Sequence, residues 1–465
     1  MVAQQIADAG GPIAYEWREL APVGRPHLYP PLLHLLIAAL LKAGCHPGTA
    51  MRLISVLSVP ALLLSLFLVM RRLLGRDVAL ASLWMAMIPW SFHLQGASAL
   101  AATLGMIELL WLMEAMERRR IVAAGLLLGL LGYTHLGLPW IACVMLALIA
   151  WWRPTLRAIA IRSVWGAGLW LPWLWHLVQH RASLQPFARY ENVMVVIVPG
   201  LYLMAAVGFW RCWWQKERWL WLIACWAGFL LLAPQFRYRW LSGEGLLPIV
   251  LFAGVGLKWL SGMRGIEWRR LAVGGALFLG LLLSPAISHH AGGWRWSFSS
   301  GGPLHLLVSP SMPSSGTDMP EMGIDTPRMQ RLAKTIGEAS HPDDILWSNA
   351  DHALGWIAVL AHRATSTAML AEMAPSQPFD PYRAASMLVV FRGIPMSLLR
   401  PIGETDRLQP VFEDDLVSVK RRLGVTTALR RPQRVLPLWL ARGLVAAALA
   451  GIVWDERRPF NDRSR

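Results

Sequence analysis

Three short stretches of this 465-residue chain carry side chains suited to holding an anion. The densest is Gly24-Arg25-Pro26-His27-Leu28-Tyr29-Pro30-Pro31. The second is Gln235-Phe236-Arg237-Tyr238-Arg239-Trp240, and the third is Gln185-Pro186-Phe187-Ala188-Arg189-Tyr190-Glu191. A guanidinium can meet a phosphate with two parallel N–H donors, and His and Tyr add single donors at the same depth. Acids stand before the first stretch: Asp8, Glu16 and Glu19. A carboxylate near such a basic group can take the proton from an attacking hydroxyl. Glu108 lies inside an apolar run, where an acid is a functional candidate by default, and a structural pairing with an Arg or His on a neighbouring helix is the equal alternative. His135 sits in Thr134-His135-Leu136-Gly137, a tight turn in which a satisfied structural histidine is the favoured reading. Plainer readings stand beside each of the others. Tyr and Arg also anchor chains at headgroup depth, arginines snorkel, and an acid on a loop is most often solvated.

The elements that must position these residues follow from composition. Hydrophobic residues make up 55% of the chain and charged residues 15%, mean hydropathy is +0.43, and there are 26 Trp. A soluble domain carries about 25% charged residues, so the chain reads as an integral membrane protein. Its net charge of +16 does not point to nucleic acid, because the basic residues fall in short runs between apolar stretches. A span needs about 20 residues. The apolar runs are Ala50–Met70, Val78–Leu94, Ser98–Met116, Ala158–Leu177, Val193–Trp210, Trp219–Leu232, Leu246–Leu260, Leu271–Ile287 and Val435–Trp454. The run Ile121–Ala150 is broken by Gly132, Gly137 and Pro139.

Basic clusters at Arg71–Arg76, Arg118–Arg120, Arg153–Arg162, Arg211–Arg218, Lys258–Arg270 and the tail 456–465 belong on the cytoplasmic side. For two of them to share a side, Ile121–Ala150 must cross twice and turn at His135. Pro30–Ala43, about 21 Å as a helix, is too short to span comfortably and reads as a helix lying at the outer face. The external side then receives residues 1–49, the loops at 92–97, 178–192 and 233–245, and the long segment 288–434. That segment opens on a flexible Ser/Gly/Pro/Met stretch, 297–322. A helix then starts at Asp325-Thr326-Pro327 and runs to Ala339. Strands follow at Asp344–Asn349, Ser386–Phe391 and Asp415–Lys420, with a helix at Ala353–His362. No signal peptide, zinc-spaced Cys/His set, nucleophile elbow, Walker loop or internal repeat is visible.

The expected fold is thus an all-α polytopic membrane bundle of about eleven transmembrane helices plus an interfacial helix, with a small extracytoplasmic α/β domain before the last helix. The expected division is residues 1–49 as a first external loop with its juxtamembrane helix and 50–287 as the transmembrane core. Residues 288–434 form the α/β domain, and 435–465 the last helix and cytoplasmic tail.

The series Ala3-x-x-Ile6-Ala7-x-x-Gly10-Gly11-Pro12-x-x-Tyr15, continued by Gly24-Arg25-Pro26-His27-Leu28-Tyr29-Pro30-Pro31-Leu32-Leu33-His34, resembles the first external loop of the glycosyltransferase C superfamily. This superfamily includes the polyprenyl-phosphate-mannose protein mannosyltransferases and the lipid A aminoarabinose transferases. Arg237 and Arg239 followed by Leu247-Pro248 resemble the family's late basic loop. Ile345–Asn349, His362–Thr365 and Met369–Glu372 resemble the extracytoplasmic domain of some members. The resemblance implies a bilayer enzyme that moves a hexose or pentose from a polyprenyl-phosphate donor to a glycan, lipid or protein acceptor outside the cytoplasm. It involves no nucleic acid, and in some members a divalent metal takes part. Arg25, His27, Tyr29, Arg189, Arg237 and Arg239 would then hold the lipid phosphate and substrate.

The family's acidic motif lies further toward the N-terminus than Gly10 permits, since counting back passes Met1. The expectation is a chain that begins inside this loop, without the first helix and the catalytic acid, leaving Asp8 and Glu16 as substitutes for the base. A catalytically inactive paralogue, or a transporter or ligase of lipid-linked saccharides, is the alternative. The expected location is the inner (plasma) membrane of a bacterium.

Overall fold

A computed structural model describes residues 1–89, 101–183, 195–230, 237–241, 243–262, 274–276, 279–280, 286–290, 293–297, 327–367, 375–392, 407–425 and 429. The chain divides into two compact units. One comprises Met1–Arg52, Trp175–Pro186 and Pro313–Ala441; the other comprises Leu53–Leu174, Phe187–Met312 and Arg442–Arg465.

The second unit is mainly helical. Its elements are most of α3 (Pro47–Leu74), α4 (Arg76–Ala86), α5 (Ala101–Glu117), α6 (Ile121–Thr134), α7 (Leu138–Trp152), α8 (Pro154–Ser163) and most of α9 (Trp165–Gln179). They continue with α10 (Pro199–Trp214), α11 (Lys216–Leu230), α12 (Arg237–Leu241) and α13 (Leu246–Ser261). The run expected to cross twice does fold as two helices, α6 and α7, turning at 135–137. Among the described residues two stretches are long and apolar enough to cross a membrane. These are Pro47–Leu74, with 28 residues and mean hydropathy 2.6, and Arg239–Ser261, with 23 residues and 1.6.

Much of this unit's apolar surface faces outward. Val56 is 68% exposed, Trp151 75% and Trp214 68%, with Leu57, Leu64, Trp152, Trp210 and Trp213 also exposed. A water-soluble surface would not leave so many large side chains uncovered, and Trp is the side chain that favours membrane interfaces.

Two expected spans are shorter than the sequence suggested. The helix expected from Val193 begins at Pro199 instead, where Pro at the first turn sets the start, and Val195–Ile197 forms β3. β-Branched residues suit a strand, and β3 pairs antiparallel with β4 (Ala286–His290), which pairs with β5 (Gly293–Ser297). The span expected to end at Ile287 therefore ends in this sheet, which the all-α expectation did not contain. The run Ala158–Leu177 is likewise two helices, α8 and α9, meeting at Val164.

Helix contact in this unit relies on small residues. A Cβ on Gly208 of α10 would lie 1.8 Å from the Phe252 carbonyl oxygen and 2.9 Å from the Gly256 nitrogen of α13. In an apolar solvent, helices are held by close backbone packing and not by expulsion of water, so this contact does the work a leucine seam does elsewhere.

The first unit holds α1 (Val2–Ala9), β1 (Tyr15–Glu16), β2 (Arg25–Pro26) and α2 (Leu32–Lys42), together with a five-stranded sheet. Its sheet elements are β6 (Ile345–Ser348), β7 (Ala364–Thr365), β8 (Met387–Phe391), β9 (Leu408–Glu413) and β10 (Val417–Arg422), in the order β7-β6-β8-β10-β9. β6 runs parallel to β7 and β8, while β10 is antiparallel to β8 and β9. Helices α14 (Pro327–Ala339) and α15 (Asp351–Ala361) cover it, burying Leu332, Ile336, Leu354 and Ile357 against Leu346, Val389 and Val419. The expected helix ending at Ala339 and all three expected strands are present, and β7 and β9 join them.

Residues 18–21 are tied to this sheet. Thr365 N donates to Arg18 O at 2.7 Å and Ala21 N donates to Thr365 O at 2.8 Å, while Ala21 packs on Ile345 and Ala364. The first-loop residues and the α/β sheet thus lie in one compact unit. The last expected span, Val435–Trp454, the tail, and the stretch 298–322 lie outside the described residues.

Replacing Gly208 by Leu is expected to destabilise the second unit by about 1–3 kcal/mol through overpacking. Leu203→Ala, at a position 70% exposed on the same helix, should leave stability unchanged. Thermal melts of the detergent-solubilised chain distinguish the two; equal melting temperatures would refute the contact.

Candidate functional site

In the first unit the candidates gather on the β1–β2 ribbon. Its register sets Glu16 directly opposite Arg25, so the cross-strand neighbours are an acid and a base. Gly24 allows this. Its φ is +66°, and a Cβ there would lie 2.5 Å from the Glu16 carbonyl oxygen, so a side chain would part the strands. The Arg25 guanidinium sits 2.8 Å from Glu16 Oε2, and its Nη2 and Nε donate to Glu19 Oε2 at 2.6 and 3.0 Å. His27 Nδ1 lies 2.6 Å from Glu16 Oε1, and His176 Nε2 donates to the His27 carbonyl at 3.0 Å. His34, on α2, stacks edge-on to His27 at 5.3 Å, and the half-buried Tyr29 ring is 6.0 Å from His34.

This cluster is dry. Side-chain exposure is 0% at Glu16, 3% at Arg25 and 1% at His27. Burial pushes both carboxyls above their ordinary value, and for Glu19 the Glu16 charge adds to the push; Arg25 pulls both back. Burial, aided by the Arg25 charge, pushes His27 down to about 3. His27 is therefore uncharged at neutral pH, and a proton entering the Glu16–His27 pair rests on the carboxyl. Asp8 stands apart from this cluster: it is half exposed and pairs with Arg18 at 2.9 Å.

The second unit holds a separate cluster. Arg239, on the short helix α12, sits 2.8 Å from Glu244 Oε1, and His135 Nε2 lies 3.3 Å from the same oxygen. Arg239 is 21% exposed while Glu244 is 3% and His135 5%. His135 Nδ1 accepts from the amides of Gly137 and Leu138 at 3.0 and 3.2 Å, capping the start of α7, as expected of a structural histidine. Glu108 is buried on α5, and its described partner is the Thr134 hydroxyl at 2.8 Å, which favours neither the functional reading nor the Arg or His pairing. Arg189 and the side chain of Arg237 lie outside the described residues.

The sequence reading missed Glu244 and gave Glu19 no role. The available signal was an acid between two glycines, Gly243-Glu244-Gly245, at the head of an apolar helix, where only a fixed cation justifies its burial. The described residues do not make a ligand set for the divalent metal that the resemblance allows. Among the described residues no three His, Cys, Asp or Glu converge, and the first-loop carboxylates face a guanidinium.

No family model matches the chain, and no curated protein matches its sequence. Solved structures do match its fold. The archaeal oligosaccharyltransferase AglB from Archaeoglobus fulgidus, in complex with an inhibitory peptide and a dolichol-phosphate, superposes with a TM-score of 0.54 at 10% identity. That match covers 84% of this chain and 64% of AglB, so the chain spans just under two thirds of its length. ArnT from Cupriavidus metallidurans bound to undecaprenyl phosphate gives 0.53 at 12% identity, covering 92% of this chain and 93% of ArnT. In the apo state ArnT gives 0.52 at 14%, covering 90% and 91%. The chain therefore shares the fold of AglB and ArnT, the fold that the resemblance of its N-terminal series implies.

Replacing Arg25 by Met removes the only guanidinium described between two buried acids and is expected to cost about 3–5 kcal/mol at neutral pH. The sign with pH follows from the raised carboxyls. Their neutral forms favour the folded state, and that contribution is full below the ordinary value of 4.5 and lost as pH rises through the raised value. The penalty of Arg25→Met should thus shrink on acidification toward pH 4.5. Melting temperatures of both chains across pH 4.5–7.5 check it, and a pH-independent gap would refute the pairing.

Proposed function

We propose that this chain is a multi-pass membrane glycosyltransferase that moves a sugar from a polyprenyl-phosphate donor to an acceptor on the extracytoplasmic side. The observation that carries the reading is Arg239: a partly exposed arginine, fixed by a buried acid, on the basic loop before Leu247-Pro248 of a chain with this fold. The structures it resembles include ArnT bound to undecaprenyl phosphate and AglB with a dolichol-phosphate.

In the proposed reaction the acceptor hydroxyl attacks the anomeric carbon, the bond from that carbon to the phosphate oxygen breaks, and polyprenyl phosphate leaves. Arg239, with Arg237 beside it in sequence, meets the negative charge that grows on the departing phosphate; fixed positive charge there lowers the barrier directly. Of the two acids expected as substitutes for the base, Glu16 is the better suited. Burial raises its carboxyl above the ordinary value, the direction that makes a carboxylate a more effective proton acceptor. His27 and Arg25 hold that carboxyl in place, Tyr29 stands at the α2 entry, and Asp8 is a surface charge. Arg189 is assigned to the substrate on sequence alone.

About eleven spans are proposed, with basic loops inside and the α/β segment outside. Ion pairs support a common side for several basic ends. Arg72 and Arg118 share Glu114 at 3.1 and 2.6 Å, Arg153 pairs with Glu117, and Lys258 pairs with Asp77.

The test is transfer from radiolabelled polyprenyl-phosphate sugars to envelope acceptors by the purified chain. Glu16→Gln is expected to lose about 100-fold or more in turnover, as loss of a general base does. Asp8→Asn should stay near the parent, and Arg239→Ala should lose turnover. Full activity in Glu16→Gln would remove it as the base, and full activity in Arg239→Ala would end the phosphate reading.

A further inference from the structure

Arg239 rides on a helix of five residues, an unsteady base for a long side chain. An arginine carries about 2 kcal/mol of rotamer entropy, and whatever it spends on ordering is lost from binding. Two groups take up that ordering in advance. Glu244 follows five residues later, and the Gly245 amide donates to the Arg239 carbonyl at 2.9 Å, folding the chain back so that the carboxylate meets the guanidinium. His135 comes from the α6–α7 turn, more than a hundred residues away in sequence. Two backbone N–H groups converge on its Nδ1, which fixes that nitrogen as an acceptor and leaves the proton on Nε2. Nε2–H and the Arg239 Nη1–H group, 3.0 Å apart, then both point at one acceptor, Glu244 Oε1.

The geometry points to Glu244 and His135 as positioning residues that hold the Arg239 guanidinium ready for the lipid phosphate. This rests on the reading of Arg239 as a phosphate residue. Neither Glu244 nor His135 is assigned contact with the phosphate: both are at least 95% buried, Glu244 accepts from Nη1 of the arginine, and His135 acts through Glu244. His135 also transmits the position of the α7 start, so the turn that caps one helix sets the aim of the arginine on another.

Undecaprenyl phosphate, carrying no sugar, is titrated into the full chain in detergent micelles and followed by tryptophan fluorescence. Glu244→Gln keeps the shape and removes the charge. His135→Asn keeps an acceptor for the turn amides and removes the reach to Glu244. Each is expected to weaken binding about tenfold, the worth of a hydrogen bond to a charged group. In the double variant Arg239→Ala/Glu244→Gln, binding should be no weaker than in Arg239→Ala alone, because Glu244 acts only through the arginine. Additive losses, unchanged binding in both Glu244→Gln and His135→Asn, or tighter binding in Glu244→Gln, the mark of a mere counter-charge, would each overturn the inference. Arg239→Ala binding as tightly as the parent would instead overturn the phosphate reading beneath it.

Discussion

A guanidinium or carboxylate taken out of water must bring its counter-charge with it, because the cost of leaving it unpaired exceeds the worth of most packing contacts. Both candidate clusters are solutions to that constraint. On the β1–β2 ribbon, Arg25 is enclosed by Glu16 and Glu19, and the ribbon register, the Gly24 turn and the His27 contact all serve the pairing. In the helical unit, Glu244 can be buried only because Arg239 and His135 turn toward it. The local backbone follows from the charges: a five-residue helix, a glycine-flanked acid and a histidine whose ring is pinned by two amides.

The same constraint separates the two clusters in kind. Arg25 is spent inside the protein, with two acids on one base, so its cluster has capacity for a proton and little for a new anion. Arg239 pairs with the buried Glu244 and keeps a fifth of its side-chain surface outward. In the reaction proposed above, phosphate binding falls to the partly exposed Arg239 and proton uptake to Glu16, whose carboxyl burial raises. The helical unit is held by close backbone contacts, such as Gly208 against Phe252, beneath an outward surface of Leu and Trp.

Much of this was legible in the chain. Apolar length and basic loops gave the helices, including the pair over 121–150 with its turn at His135. The Pro-Pro entry gave α2, and Asp325-Thr326-Pro327 gave the helix that ends at Ala339. These are local signals, carried by residues a few positions apart. Where the sequence reading fell short, a distant partner decided. Val195–Ile197 is apolar enough to extend a helix, but β4, some ninety residues later, takes it as a strand. Residues 18–21 carry no strand pattern of their own, yet Thr365 supplies hydrogen bonds that tie them to the sheet.

The site divides the same way. The sequence alone determined which residue types were available and that Arg25, His27 and Arg239 were worth attention, since charge at those places in an apolar chain requires a reason. Only the tertiary structure decided what each charge faces. It buried Arg25 between two acids, left Asp8 at the surface, and brought His135 and Glu244 to Arg239. Pairing of charges is settled by distance and burial, and in this chain charged groups that meet are separated by as many as 181 positions, as Asp77 and Lys258 are, beyond the range of any spacing rule.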